Sequence, residues 1–160
     1  ALMISDKIYE AMVSESKKLG TFGHGFTYGG HPVACAVASE TLKIYEERDI
    51  LGHVRKVGPL LQQGLKDLEA HPLVGNARGV GLIAGVELMA DKAKRIPFAP
   101  ELKAGIQVME ECHKVGLIVR AIGDRIAFTP PLVISAGEID ELLAKFRKGL
   151  DAALPRLMPA

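Results

Sequence analysis

The 160-residue sequence is 48% hydrophobic and carries 20 Lys and Arg against 19 Asp and Glu, so its formal net charge is close to zero. With this balance, 5% aromatic residues and no tryptophan, it lacks the basic surface and the stacking side chains of nucleic-acid-binding modules. The length suits one domain or a domain and a half, which buries about two thirds of the surface that the unfolded chain exposes. We therefore expect a globular protein without a nucleic-acid partner.

The cysteines and apolar runs indicate a cellular compartment. Cys35 and Cys112 lie far apart, without CxxC spacing or paired histidines, which predicts neither a zinc site nor a disulfide framework. No apolar run approaches the roughly 20 residues that cross a bilayer, and the first residues lack the basic start of a signal peptide. These features predict a cytoplasmic protein with no membrane association.

The first third of the chain predicts two helices around an irregular loop. Ser5 can cap a helix over residues 6–19, which Gly20 terminates. A proline suits the first position of a second helix, over 32–48. Between them, residues 20–31 are rich in glycine and aromatic side chains, a composition that suits neither a regular helix nor a strand.

The middle of the chain predicts a helix, a strand and another helix. Apolar residues recur at three- and four-residue spacing over 51–70, as in an amphipathic helix. The glycine-rich apolar segment 74–88 predicts one long buried strand that another backbone approaches closely. A further helix is predicted over 100–116, with a proline at its start and a glycine at its end.

The last part predicts two short strands and a final helix. Residues 117–122 and 125–129 alternate in polarity around a Gly-Asp pair, which predicts an antiparallel hairpin. Ser135 and Glu138 have the spacing of a capping box for the last helix. From about residue 51 onward, these elements form an α+β layer of helices on a small sheet.

The glycine-rich loop before the second helix is a candidate phosphate site. Residues 25–32 place flexible backbone and the Thr27 hydroxyl beside a helix N-terminus, whose unpaired N–H groups favour anions. An ordinary capped turn has the same composition, so the residues leave both interpretations open. His24 and His31 have no third ligand at a standard spacing, so no metal site is predicted.

Arg120 is a candidate carboxylate-binding residue. It lies between apolar residues on a predicted strand, where a guanidinium group can hold a carboxylate through two hydrogen bonds. The alternative is a structural ion pair, for instance with Asp124, and the residues do not decide between the two. Arg78 has the same ambiguity, with structure favoured.

Several familiar catalytic motifs are absent. The sequence contains no GxSxG, HExxH or GxxxxGK[ST] motif, and no GxGxxG that follows a strand. None of its lysines lies in an apolar setting that would favour Schiff-base chemistry. The sequence therefore offers anion and carboxylate binders without an evident catalytic group.

Three runs of sequence together resemble a known family. They are GHGFTYGGHPVACAVASETLKIYEE (23–47), ARGVGLIAGVEL (77–88) and GLIVRAIGDRIAFTPPLVIS (116–135). In this order and spacing they resemble the C-terminal part of class III, fold type I aminotransferases that use pyridoxal 5'-phosphate. The resemblance is closest to the omega-transaminases and covers essentially the whole chain.

The resemblance implies roles for particular residues. Thr27 matches the threonine that contacts the cofactor phosphate of the neighbouring subunit in a homodimer, with Phe26 and Tyr28 beside it. Arg120 matches the arginine that binds a substrate carboxylate and swings aside for an apolar amine. Arg78 matches a feature of the small domain and is given no functional role.

The resemblance also implies a division into domains and a missing residue. Residues 1–50 match the end of the large cofactor-binding domain, and 51–160 match the small domain, an α+β unit with a short, mainly antiparallel sheet covered by helices. The family's Schiff-base lysine precedes the segment matched here, so this sequence holds no catalytic residue of that kind. The expectation is a C-terminal fragment, inactive by itself, of an enzyme that moves an amino group from an amine or omega-amino acid to pyruvate or a similar keto acid.

Two other functions remain open at this point. Aminomutases and decarboxylases of class III share the cofactor loop. A short chain with these motifs could also be a non-catalytic binding or dimerisation module.

Overall fold

The computed structural model describes residues 2–159. The chain divides into two compact units, unit 1 (Ala1–Lys43) and unit 2 (Ile44–Ala160). No helix within the described residues is long and apolar enough to cross a membrane.

Unit 1 contains helix α1 (Asp6–Leu19) and most of helix α2 (Pro32–Glu47), which confirms both predicted helices. Helix α1 ends at Gly20, which has a φ of 95° and donates its N–H to the Ser16 carbonyl. Ser5 occupies the N-cap position, but its side chain makes no capping hydrogen bond. No residue of either helix is buried.

After the last turn of α2, unit 2 continues with helix α3 (Ile50–Asp67) and a 3-10 turn (Leu68–Ala70). The helix predicted over 51–70 is therefore confirmed, with its last residues in the tighter turn. Its start depends on a cap that the sequence analysis missed, because the Asp49 carboxylate accepts the Gly52 N–H at 3.2 Å.

The prediction of one long strand over 74–88 is wrong. The segment forms two antiparallel strands, β1 (Val74–Val80) and β2 (Ile83–Leu88), joined by a two-residue turn. Gly81 has a φ of 56°, a left-handed conformation that glycine adopts without steric strain. The glycine pattern predicts close backbone approach within one strand, whereas at Gly81 the chain reverses.

Helix α4 (Ala104–Lys114) starts later than predicted. A separate 3-10 turn (Pro100–Leu102) precedes it, and Lys103 interrupts the two with a left-handed φ of 48°. The proline therefore opens the short turn and not the helix. At the other end the chain leaves helical geometry as expected, with a φ of 76° at Gly116.

The predicted hairpin is confirmed as β3 (Arg120–Ile122) and β4 (Arg125–Phe128), with β3 starting three residues later than expected. Helix α5 (Ala136–Leu157) follows the predicted capping box, in which Ser135 and Glu138 each bond to the other's backbone N–H.

The four strands form one antiparallel sheet in the order β1-β2-β4-β3. Alternate residues of β2 and β4 are buried, and Phe128 of β4 packs edge-to-face on Phe146 of α5, with ring centroids 4.9 Å apart. The mixed helical fold with a small antiparallel sheet is as predicted. The largest fully buried side chains form its core: Leu61, Leu65, Leu73, Val74, Val86, Leu88, Val108, Ile126, Phe146, Ile139, Leu150.

Candidate functional site

The glycine-rich loop of unit 1 forms a tight turn just before helix α2. The Gly29 N–H donates to the Phe26 carbonyl at 2.8 Å, and Gly30 takes a left-handed φ of 72°. Thr27 lies within this turn and is exposed. Phe26 and Tyr28, on either side of it, are 77% and 82% exposed.

The turn leaves hydrogen-bond donors free within residues 2–159. The Thr41 hydroxyl donates to the Val37 carbonyl, whereas the Thr27 hydroxyl has no partner in the described chain. The backbone N–H groups of Thr27 and Tyr28 likewise meet no acceptor in this region. Free donors beside a helix N-terminus can hold a phosphate.

His24 of this loop lies among aromatic side chains. The His24 ring packs against Phe22 and Phe26, with centroid distances of 5.9 and 5.4 Å. Among residues 2–159, no cluster of three or more His, Cys, Asp or Glu side chains could hold a metal ion.

Arg120 is the first residue of the edge strand β3 and is exposed. Directly paired residues run across the sheet from Arg78 to Gly85, then to Ala127, then to Arg120. Residues that pair directly share one face, so the two arginines lie at opposite ends of a single row with small residues between them. This face is the one turned away from the buried core.

The ion pair considered for Arg120 and Asp124 does not form. The Asp124 Oδ1 atom instead accepts the N–H of Gly105 at 3.2 Å, a contact that the sequence analysis missed. Arg125 and Arg78 pair with Glu87, at 3.2 and 3.8 Å, whereas Arg120 has no carboxylate within 4.0 Å in the described chain. Its guanidinium group is therefore available to a ligand.

Arg120 borders an open cleft of about 480 Å³ in unit 2. Apolar side chains, including Ile134 and Leu142, contribute to its lining. Glu141 and Lys145 of helix α5 also line the cleft and pair with each other at 2.6 Å. An arginine beside a partly apolar cleft, with the nearby charges paired elsewhere, can bind a small carboxylate.

Three groups of unit 2 with shifted pKa values are Cys112, Glu111 and Glu138. Burial raises the pKa of the Cys112 thiol to about 11. Hydrogen bonds from Lys114 and Arg156 lower the pKa of Glu111. At the cleft itself, the pKa of Glu138 is lowered because the Ser135 backbone N–H and hydroxyl bond to its carboxylate.

Comparisons with known proteins agree with the sequence motifs. The family described as Aminotransferase class-III matches residues 1–150. A probable gamma-aminobutyrate transaminase 3 from Oryza sativa subsp. indica, named as mitochondrial, is 44% identical over 157 residues, which are 98% of this chain and 31% of that protein. A gamma aminobutyrate transaminase 3 from Solanum lycopersicum, named as chloroplastic, is 47% identical over 150 residues, which are 94% of this chain and 29% of that protein.

Solved structures give the same answer. A thermostable omega transaminase 6-fold mutant from Pseudomonas jessenii superposes with a TM-score of 0.84 at 41% identity, covering 98% of this chain and 35% of that one. The chain thus spans about a third of the length of the relatives it matches. On sequence and on structure, this chain belongs to the class III aminotransferase family.

Proposed function

We propose that this chain is the C-terminal portion of an enzyme that transfers an amino group from an amine or omega-amino acid to pyruvate or a similar keto acid. The observation that carries the proposal is that Arg120, a residue bordering a partly apolar cleft, pairs with no carboxylate in the described chain. Membership of the family and the names of relatives, several of them gamma-aminobutyrate transaminases, support the same reaction class.

In this proposal Arg120 binds the substrate carboxylate. Its five N–H donors match the two oxygens of a carboxylate. Because the side chain is exposed and held by no carboxylate of the described chain, it can also move away when the substrate carries no charge there.

The loop around Thr27 fits the phosphate end of pyridoxal 5'-phosphate. The Thr27 hydroxyl and the backbone N–H groups of Thr27 and Tyr28 would bind phosphate oxygens, and the exposed Phe26 and Tyr28 rings would flank them. When bound, the cofactor supplies the carbonyl group that accepts and returns the amino group.

No lysine of this sequence matches the family position that links to the cofactor, so the 160-residue polypeptide by itself is expected to be inactive. Lys7, Lys17 and Lys18 lie exposed on helix α1 and do not match that family position. The proposed reaction therefore needs a full-length protein that supplies the linking lysine.

We also propose a homodimer whose sites are shared between subunits, with residues 1–50 in the large domain and 51–160 in the small domain. Unit 1 supports an extended interface, because many of its large apolar side chains are exposed. These side chains are Leu2, Met3, Ile4, Ile8, Tyr9, Val13, Leu19, Phe22, Phe26, Tyr28, Val33, Val37, Leu42. A cytoplasmic location stays a prediction, and some relatives carry mitochondrial or chloroplastic names.

Two amines that differ by one carboxylate test the role of Arg120. In the full-length protein, we expect Arg120→Leu to lower kcat/KM for 4-aminobutyrate by roughly tenfold to a hundredfold more than for n-butylamine, because a charged hydrogen-bonded pair is lost. Arg78→Leu is the matched control, since Arg78 lies on the same face at the opposite edge of the sheet.

Equal losses for both amines after Arg120→Leu would contradict the assigned role. Product analysis separates the reaction classes, because an aminomutase keeps the amino group on one carbon skeleton and a decarboxylase releases carbon dioxide. A full-length protein that binds no cofactor and transforms neither amine would instead be a non-catalytic module.

A further inference from the structure

Helix α4 begins without a cap of its own. Lys103 occupies the N-cap position in a left-handed conformation, and its side chain makes no capping hydrogen bond. Asp124, in the turn between β3 and β4, caps the helix although it is distant in sequence, because its Oδ1 atom accepts the Gly105 N–H at 3.2 Å. A carboxylate at this end of a helix also interacts favourably with the helix dipole.

The same turn lies directly against the helix backbone. A Cβ atom on Gly105 would overlap the Gly123 carbonyl oxygen and lie 3.3 Å from the Asp124 Cα atom. Gly105 is buried, and the absence of its side chain allows this approach. The turn is therefore held by a hydrogen bond and by close backbone packing at one point.

Asp124 also ties the turn to the neighbouring strand. Its backbone carbonyl accepts the Leu88 N–H at 2.8 Å, at the end of β2. One residue thus joins the start of α4, the end of β2 and the β3–β4 turn.

Strand β3 lies at the edge of the sheet. It contains three residues, pairs with β4 among the described strands and contacts helix α4. Arg120 is at the start of this strand, so a shift or tilt of the hairpin would move its guanidinium group. Binding groups displaced by about 1 Å can lose much of their effect.

We propose that Asp124 is a positioning residue for Arg120, because its bond to Gly105 fixes the hairpin that presents Arg120 to the substrate carboxylate. The proposal rests on the function proposed above for Arg120. Asp124 itself contacts neither substrate nor cofactor. Recognition of the carboxylate depends on the hydrogen bond between Gly105 and Asp124, which lies beyond the end of β3 opposite to Arg120.

The test uses the full-length protein and the ratio of kcat/KM for 4-aminobutyrate to that for n-butylamine. Asp124→Ala is expected to lower this ratio about fivefold to tenfold, mainly through KM for 4-aminobutyrate. Asp124→Asn should keep the ratio near the parent value, because its amide oxygen can still accept the Gly105 N–H. Asp140→Ala is the matched control, since Asp140 is an exposed aspartate on helix α5.

A double variant separates positioning from a general structural effect. If Asp124 acts through Arg120, Asp124→Ala should not lower the ratio further in the Arg120→Leu background. An equal loss for both amines, or the same drop in ratio in both backgrounds, would overturn the proposal. Failure of the proposed function itself is distinguishable, because Arg120→Leu alone would then leave the ratio unchanged.

Gly105→Ala provides a second variant if Asp124→Ala does not fold. It displaces the same turn from the helix side and should lower the same ratio. An unchanged ratio in a folded Gly105→Ala protein would also overturn the proposal.

Discussion

Gly58 of helix α3 lies so close to Gly81, in the β1–β2 turn, that a Cβ atom on Gly58 would be 3.0 Å from the Gly81 Cα atom. The two glycines allow the helix and the turn to pack backbone against backbone. Gly81 also needs its left-handed conformation to reverse the chain. This contact links the first helix of unit 2 to the first hairpin of the sheet.

We expect Gly58→Ala to lower the free energy of unfolding, by about 1–3 kcal/mol, although alanine normally favours a helix interior. The added methyl group would press on the Gly81 backbone, which cannot move without disturbing the turn. Gly137→Ala is the control, because a Cβ atom there meets nothing within 4 Å, and it should leave stability unchanged or raise it slightly. Urea unfolding of the purified variants measures both. A stabilised Gly58→Ala protein would show that the helix and turn can separate without loss.

Thr27→Val is expected to weaken binding of pyridoxal 5'-phosphate to the full-length protein by about tenfold or more, because a hydroxyl donor to the charged phosphate is removed. Equilibrium dialysis of the cofactor gives the dissociation constant without relying on activity. Thr41→Val is the control, since the Thr41 hydroxyl already bonds to the Val37 carbonyl within its own helix. Unchanged affinity in the Thr27 variant would exclude a phosphate contact by the Thr27 hydroxyl.

The two cysteines should differ in reactivity in the native 160-residue polypeptide. Cys35 is exposed, whereas Cys112 is fully buried and its pKa is raised to about 11 by burial. Because the thiolate is the reactive form, Ellman's reagent should modify one thiol rapidly and the other only after unfolding. Cys35→Ser should abolish the fast phase. A fast phase that persists in this variant would mean that Cys112 is accessible.

Stability should fall as the pH drops below about 6.5. His71 is buried, its Nδ1 atom accepts the Leu73 N–H at 3.2 Å, and burial lowers its pKa from the ordinary value of 6.5 despite the nearby Asp151 carboxylate. The unfolded chain then binds more protons than the folded protein between the folded-state pKa and 6.5, so the free energy of unfolding decreases as pH falls through that window.

His71→Asn removes this titration and keeps an acceptor for the Leu73 N–H. Its free energy of unfolding should therefore vary less than that of the parent protein between about pH 5.5 and 7.5. This pH range lies above 4.5, the ordinary pKa of glutamate. The glutamates whose pKa is lowered therefore stay ionised across it and contribute little to the change in stability. Urea unfolding at several pH values measures the free energy of unfolding of both proteins. If it varies with pH in the same way in both, His71 does not cause the loss of stability at low pH.

Local patterns were sufficient for one end of each of three helices and for the family. A terminal glycine predicted the end of helix α1, a proline predicted the start of α2, and Ser135 with Glu138 predicted the start of α5. Each signal involves residues within one turn of the helix end, so it acts without knowledge of the rest of the fold. The three sequence runs likewise identified the family that the comparisons confirmed.

Local sequence patterns failed where residues distant in sequence contact a turn or the start of a helix. The turn at Gly81 packs against Gly58, and the start of helix α4 bonds to Asp124, 19 residues away from Gly105. From the sequence alone, Asp124 is a suitable ion-pair partner for Arg120, four residues away. Nothing local indicates that it accepts the N–H of Gly105 instead.

The sequence by itself determined which helices form, the residue types of the two candidate sites and membership of the family, because these depend on neighbouring residues and motif order. Only the tertiary structure decided that 74–88 is a hairpin, and that Asp124 bonds to helix α4 and so leaves Arg120 unpaired. The reason is that hydrogen-bond partners and close backbone contacts across the fold are chosen by packing in three dimensions, which periodicity along the chain does not record.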